Sequence, residues 1–449
     1  MLTLRRLVPA LLCAGVLAAQ ADTITVERVR ETVGWLAADE RGGRDTGSPE
    51  IVVAGEWIAE RFAKAGLVQA TEGSWYHEFP MTGWTFDAAA ATATLTRRNG
   101  DKSTEFVLRP GADLRQWTVA DADAGSDEAC TVALFDDEVL QRLLLAGSAR
   151  RPIFCEVEET HPFWRLAAGP RQVLGQRRQA SRPLFLVRKG VLPKGAASEN
   201  AQWSATWKTA AATQSPMPQR NVVAVLPGTT KKDEYVVVSA HYDHVGTGRE
   251  VDGDAIYNGA DDDATGTTAV LLLAEAFAKA GPQPRSLVFV CFTAEERGLM
   301  GSKAFCDTPP FPLAKVVANV NLEMLGRPEP GKEGKAWVTG ADLSDFAALA
   351  AAAMQKGGVE LVEFPMASRL FAASDNWSFA KAGVVAHSIS AGSLHRDYHQ
   401  PGDEVDKLDV AHMTKVIQAM YPFVVDLASR EQAPQWNDAG RKRIAPRGR

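Results

Sequence analysis

His241, Tyr242, Asp243 and His244 crowd titratable side chains directly behind the β-branched run "EYVVVS". Further along, Asp261, Asp262 and Asp263 form an acidic triplet in "NGADDDATG". Glu295 and Glu296 follow "LVFVCFTA", Glu323 ends "VVANVNL", and His399 lies in "HRDYHQPGDE". Imidazole nitrogens and carboxylate oxygens are the donors that borderline divalent ions such as zinc accept. Several carboxylates brought together repel one another unless cations neutralise them. Two histidines and three carboxylates suffice for a two-metal centre in which one carboxylate bridges and each ion takes one histidine and one further carboxylate. No thiolate cluster accompanies them, so a structural zinc knuckle is excluded. One carboxylate must stay off the ions to take a proton from water, and adjacent Glu295 and Glu296 point in different directions, so one can ligate while the other acts as base. Asp243, two residues after His241, can hold that imidazole's other nitrogen. Each cluster alone has a plainer reading: a structural histidine, an acidic helix cap, a solvated glutamate pair. Their joint placement argues for a site.

That placement depends on the elements around them. "NVVAVLPG", "EYVVVSAH", "RSLVFVCFTAEE", "AKVVANVNLEMLG" and "AGVVAHSIS" read as strands. "DATGTTAVLLLAEAFAKAG", "LSDFAALAAAAMQKGG" and "DVAHMTKVIQAMYPFVVDLAS" read as helices. Residues 24–38 read as a helix, and "SPEIVVAGEWIAERFAKAGL" as another, with Ser48-Pro49 as cap and Gly66 as stop. Apolar strands alternating with helices predict an α/β fold, a mostly parallel central sheet flanked by helices. In such a sheet ligands bind at the carboxyl ends of the strands, and every cluster above falls at such an end or in the loop beyond it. Residues 80–215 differ: short strands between turns, such as "CTVALF", "RPIFCEVE" and "PLFLVRK", predict an inserted strand-rich domain.

The 449 residues are 45% hydrophobic and 23% charged, with net charge −6, which gives no basic surface for nucleic acid. The opening "MLTLRRLVPALLCAGVLAAQA" has two arginines, a short apolar segment and a small-x-small ending, the pattern of a signal peptide cut before Asp22. An exported protein, in the periplasm or outside the cell and without a stable membrane anchor, is therefore expected. Bulky Leu12 before Cys13 argues against lipidation. Among the remaining cysteines, Cys130 with Cys155 is the favoured disulfide, and Cys291 a buried thiol. The expected layout is a signal over 1–21, N-terminal helices over 22–79, the insertion over 80–215, the catalytic domain over 216–430 and a flexible basic tail over 431–449.

The pieces "HYDHVG", "NGADDDATGTTAVLLLAEAF", "FTAEERGLMGSKAF", "NLEMLGR", "SDNWSFAKAGV" and "DYHQPGDEVDKLD", in this order, resemble the zinc aminopeptidases of metallopeptidase family 28. The resemblance covers residues 24–70 and 216–430, and the middle is similar to the protease-associated domain inserted in such exopeptidases. It implies the zinc-exopeptidase, phosphorylase/hydrolase-like fold and two zinc ions, or another divalent metal. His241 and Glu323 would bind the first, Glu296 and His399 the second, and Asp261 would bridge. Glu295 would be the general base and Asp243 would orient His241. Asp262 would be a close support, Asp375 would lie near the pocket, and Gly259 and Gly266 would let the bridging loop turn tightly. Glu323 departs from the Asp common in the family. His244 would serve as a local hydrogen-bonding or pocket-wall residue, and His387 and His395 as structural or surface residues. The implied activity is hydrolysis of the N-terminal bond of peptides with a free amino end. The alternatives are a carboxypeptidase or glutaminyl cyclase on the same scaffold and a non-catalytic peptide-binding module.

Overall fold

Branched and aromatic side chains fill Val236–Val238 and Leu287–Phe292 with no polar alternation, and both stretches are buried on both faces, as strands covered by helices on either side must be. The computed structural model describes residues 23–120, 122–135, 151–175, 182–198 and 201–445. The signal segment 1–21 lies outside these residues. Contacts divide the chain into two units: one runs to Phe79 and resumes at Gln219, the other spans Pro80–Pro218.

In the first unit the sheet centres on β1 (Gln219–Leu226), β2 (Lys231–His241), β3 (Arg285–Phe292), β4 (Val316–Leu322) and β5 (Ala386–Ser390), in the spatial order β1-β3-β2-β4-β5. β3, β2, β4 and β5 run parallel, with Val237 opposite Val288 and Asn319, and Val320 opposite His387. The flanks are antiparallel: β1 against β3, Val68–Gln69 and Tyr76–Phe79 against β1, and Lys335–Val338 against β5. The sheet is therefore mixed, with the expected parallel run as its centre. Helices α1 (Val26–Leu36), α2 (Pro49–Lys64), α3 (Thr265–Ala280) and α4 (Val410–Ser429) pack into the same core. Thr25 and Ser48 cap α1 and α2 with their hydroxyls, and Gly66 and Gly281, both left-handed, follow α2 and α3. No helix among the described residues is long and apolar enough to cross a membrane.

The stretch beyond residue 430, expected to be a flexible tail, is ordered as far as 445. Trp436 is buried and donates its indole N–H to the Gly383 carbonyl, and Asn437 caps a helix over Asp438–Ile444. One buried tryptophan outweighs the basic composition of its neighbours.

Among its described residues the second unit carries three small sheets. It extends to Pro218 rather than 215, because Ala212–Pro216 pairs with Thr82–Asp87. The Cys130–Cys155 disulfide does not form: Cys130 is a free thiol. Thr131–Leu134 pairs in parallel with Ile153–Val157, so Cys155 faces Ala133 across the ladder. Cys155 packs into one apolar cluster with Trp84 and Leu186, and Cys130 into another with Phe154 and Phe185.

Candidate metal centre

Four strand ends and one helix start deliver the titratable residues. His241 is the last residue of β2, opposite Phe292 at the end of β3. Glu295 and Glu296 follow β3, Glu323 directly follows β4, and His399 lies in the loop beyond β5. The acidic triplet precedes α3. Gly259 adopts φ +57°, and a Cβ there would meet the Asp262 carbonyl at 2.4 Å. At Gly266, the second residue of α3, a Cβ would meet the Leu322 carbonyl at 2.3 Å, so the turn at Gly259 and the close approach at Gly266 both require glycine. Ala294, Met324 and His399 are left-handed without being glycine (φ 58°, 51° and 53°), beside or at the residues the site uses. Such backbone persists only where surrounding structure holds it.

Two donor groups result. In the first, His241 Nε2 lies 3.3 Å from Asp262 Oδ1 and 3.7 Å from Glu323 Oε1. In the second, His399 Nε2 lies 3.0 Å from Asp262 Oδ2 and 3.1 Å from Glu296 Oε1. His244 Nδ1 approaches the same two oxygens at 3.7 and 3.0 Å. Two donors each about 2.1 Å from a tetrahedral zinc stand about 3.4 Å apart, so these spacings suit one ion per group. His241 Nε2, His399 Nε2, Asp262 Oδ2 and Glu296 Oε1 are buried and make no hydrogen bond. Orphaned buried donors of this kind call for a partner, and the residues fit a divalent cation in each group.

The residue whose two oxygens face both groups is Asp262, not Asp261. Asp261 turns away: its Oδ1 accepts from the Gly326 amide at 2.7 Å, and its Oδ2 lies 3.4 Å from His395 Nε2. His395, expected to be structural or on the surface, is nearly buried and braced by Arg327 at 3.1 Å. Asp243 meets His241 Nδ1, closest with its main chain and at 3.7 Å with carboxylate Oδ1. The His241 Nδ1–H donates to the Asp243 backbone carbonyl at 3.0 Å, while the Asp243 carboxylate accepts from Thr46 Oγ1 at 2.8 Å and from the Glu295 amide at 3.2 Å. The residue supports His241 mainly through its main chain, with the carboxylate nearby, and the base-bearing loop through its side chain.

The electrostatics are those of a site short of positive charge. Burial opposes protonation of His241, but Glu295, Asp243, Asp262 and Glu323 outweigh it and hold its pKa well above the usual value. His399, likewise disfavoured by burial, is pushed up to about 10 by Asp262 and Glu296. Burial first, with Glu296, Asp375 and Glu323 adding repulsion against the pull of His241, raises Glu295 well above the carboxylate range. Buried Asp375 rises to about 7.

Sequence reasoning missed the group that ties the loops together. Arg44 is fully buried and donates to four carbonyls: Tyr242 at 2.9 Å, Leu36 and Asn258 at 2.7 Å, and Gly259 at 3.0 Å. Burial lowers its pKa to about 10, against Asp243, Asp403, Asp262 and Asp263, so it stays charged at neutral pH. Asp403 was missed too; its carboxylate accepts from the Asp261 and Asp262 amides at 3.1 Å.

Residues 221–424 match the profile of Peptidase family M28. The sequence is 29% identical over 218 residues to a probable leucine aminopeptidase of Arthroderma otae, covering 47% of this chain and 58% of that protein. It is 22% identical over 234 residues to aminopeptidase YwaD of Bacillus subtilis, covering 48% and 46%. The chain spans about half the length of the curated relatives it matches. Among solved structures, an aminopeptidase from Aneurinibacillus sp. strain AM-1 superposes with a TM-score of 0.59 at 18% identity, over 93% of this chain and 97% of that one. BSAP, a zinc aminopeptidase from Bacillus subtilis, gives 0.55 at 18% identity, over 91% and 97%. At this identity the superpositions speak for the fold.

Proposed function

From a chain that carries a peptidase domain of family M28, we propose an exported exopeptidase that uses two zinc ions, or another divalent pair, to release the N-terminal residue of peptides with a free amino end. The observation that carries this reading is the convergence of two donor groups on the two oxygens of Asp262, with Glu295 beside them. His241 and Glu323 would hold one ion, His399 and Glu296 the other, and Asp262, whose two oxygens face both groups, would serve the two. Bound there, the ions would polarise the scissile carbonyl and lower the pKa of a bound water. Glu295 accepts the proton of the attacking water at its carboxylate and returns it to the leaving amine nitrogen. The main-chain carbonyl of Asp243 fixes the tautomer of His241, leaving Nε2 free as a donor atom. The names of the relatives, leucine aminopeptidase and aminopeptidase, support action at the amino end. Export rests on the leader-like residues 1–21, and the strand-rich unit Pro80–Pro218 is read as a protease-associated-like insertion.

Matched tripeptides with a free amino end, an acetylated amino end and an amidated carboxyl end test the direction of cleavage. Products from the free and amidated peptides only are expected. Cleavage that survives acetylation and is blocked by amidation would make the enzyme a carboxypeptidase.

A further inference from the structure

His244 has no part in the reading above, yet it sits inside the second donor group. It is fully buried, and neither ring nitrogen makes a hydrogen bond. The ring is withdrawn from water with only carboxylate oxygens close to Nδ1. Its Nδ1 stands 3.0 Å from Glu296 Oε1 and 3.7 Å from Asp262 Oδ2, the same two oxygens that His399 Nε2 approaches at 3.1 and 3.0 Å. The two imidazoles meet edge to face, with centroids 5.3 Å apart, so they come to the oxygens from different directions. The ring is seated by design of the backbone: a Cβ at Gly259 would meet His244 Cγ at 2.4 Å, and the His244 amide donates to the Arg44 carbonyl at 3.1 Å.

We infer that His244 is a fourth protein ligand of the second ion, which makes the two sites unequal. The inference rests on the divalent-metal reading of the preceding subsection. His244, His399, Glu296 and Asp262 fill a tetrahedral shell, whereas His241, Glu323 and Asp262 leave one position of the other shell open. The closed site binds its ion more tightly and fills first. The open site is where water and substrate enter.

X-ray absorption of the chelator-stripped full chain, reloaded with one equivalent of zinc, counts the imidazoles on the first ion. Two are expected. With two equivalents, three imidazoles are shared between two ions. In His244→Ala and His244→Gln the first ion shows one imidazole, and calorimetry shows the tight step weakened by at least about 100-fold. The wild-type spectrum decides even where both variants fail to fold. One imidazole on each ion in the wild type would overturn the inference, reduce His244 to a support for Glu296 and leave the peptidase reading standing. A stripped chain that takes up no divalent ion would overturn both.

Discussion

Replacing Arg44 with methionine removes a buried charge that holds the first helix, the His241 loop and the turn before the acidic triplet together by one side chain. Methionine fills similar volume but donates to none of the four carbonyls. Bonds from a charged donor contribute about 1.5–3 kcal/mol each, so four come to about 6 kcal/mol at the lower end. Relaxation and entering water recover part, which leaves an expected loss of about 4 kcal/mol, a large share of the stability of an ordinary domain. The loss also uncovers Asp243, Asp403, Asp262 and Asp263 to one another. The assay is urea unfolding of the metal-stripped protein, with hydrogen exchange of the β2 amides as readout so that only the first unit is followed. Arg44→Lys should fall between the wild type and Arg44→Met, since one ammonium cannot reach four carbonyls. Added zinc should restore part of the stability by mass action. A loss below about 1 kcal/mol for Arg44→Met, with zinc affinity unchanged, would refute the reasoning.

Glu295→Gln should lower kcat by about 10²–10⁴-fold while the metal content measured on the purified protein stays at the wild-type level. Asp262→Asn should cut affinity for both ions by more than about 100-fold, whereas Asp261→Asn, which faces Gly326 and His395, should change it by less than about tenfold; calorimetric zinc titration separates the two. His387 is buried, donates from Nδ1 to the Thr339 carbonyl and accepts the Ser344 hydroxyl proton at Nε2, and burial lowers its pKa to about 4. The unfolded chain therefore binds a proton that the folded chain refuses between pH 6.5 and 4, so up to about 3 kcal/mol of stability is lost as pH falls through that window. His387→Gln should flatten the melting temperature against pH there, and an unchanged slope would remove His387 from the account.

The β-branched runs made the central strands legible, and the rule that ligands gather at carboxyl strand ends made most of the donor set legible with them. What escaped depended on direction rather than type. Three consecutive aspartates are chemically identical, and only the path from left-handed Gly259 into α3 decides that Asp262 faces the histidines. His244 was in view beside His241, but whether its ring turns inward is set by the turn around Asp243. Arg44 carries no signal in the sequence that it is buried, since arginine is rarely fully buried. The antiparallel flanks were hidden because buried strands of either direction read as the same apolar run. The Cys130–Cys155 pairing failed because proximity in a sheet does not place two residues on one face.

The most direct test of the account strips the full chain with a chelator and adds back zinc while counting residues released from a free-amine tripeptide. The account predicts no release without metal, and release that climbs to its maximum at two ions per chain and is lost in Asp262→Asn. Full release from the metal-free chain, or no release from a broad panel of free-amine peptides with both ions bound, would contradict it.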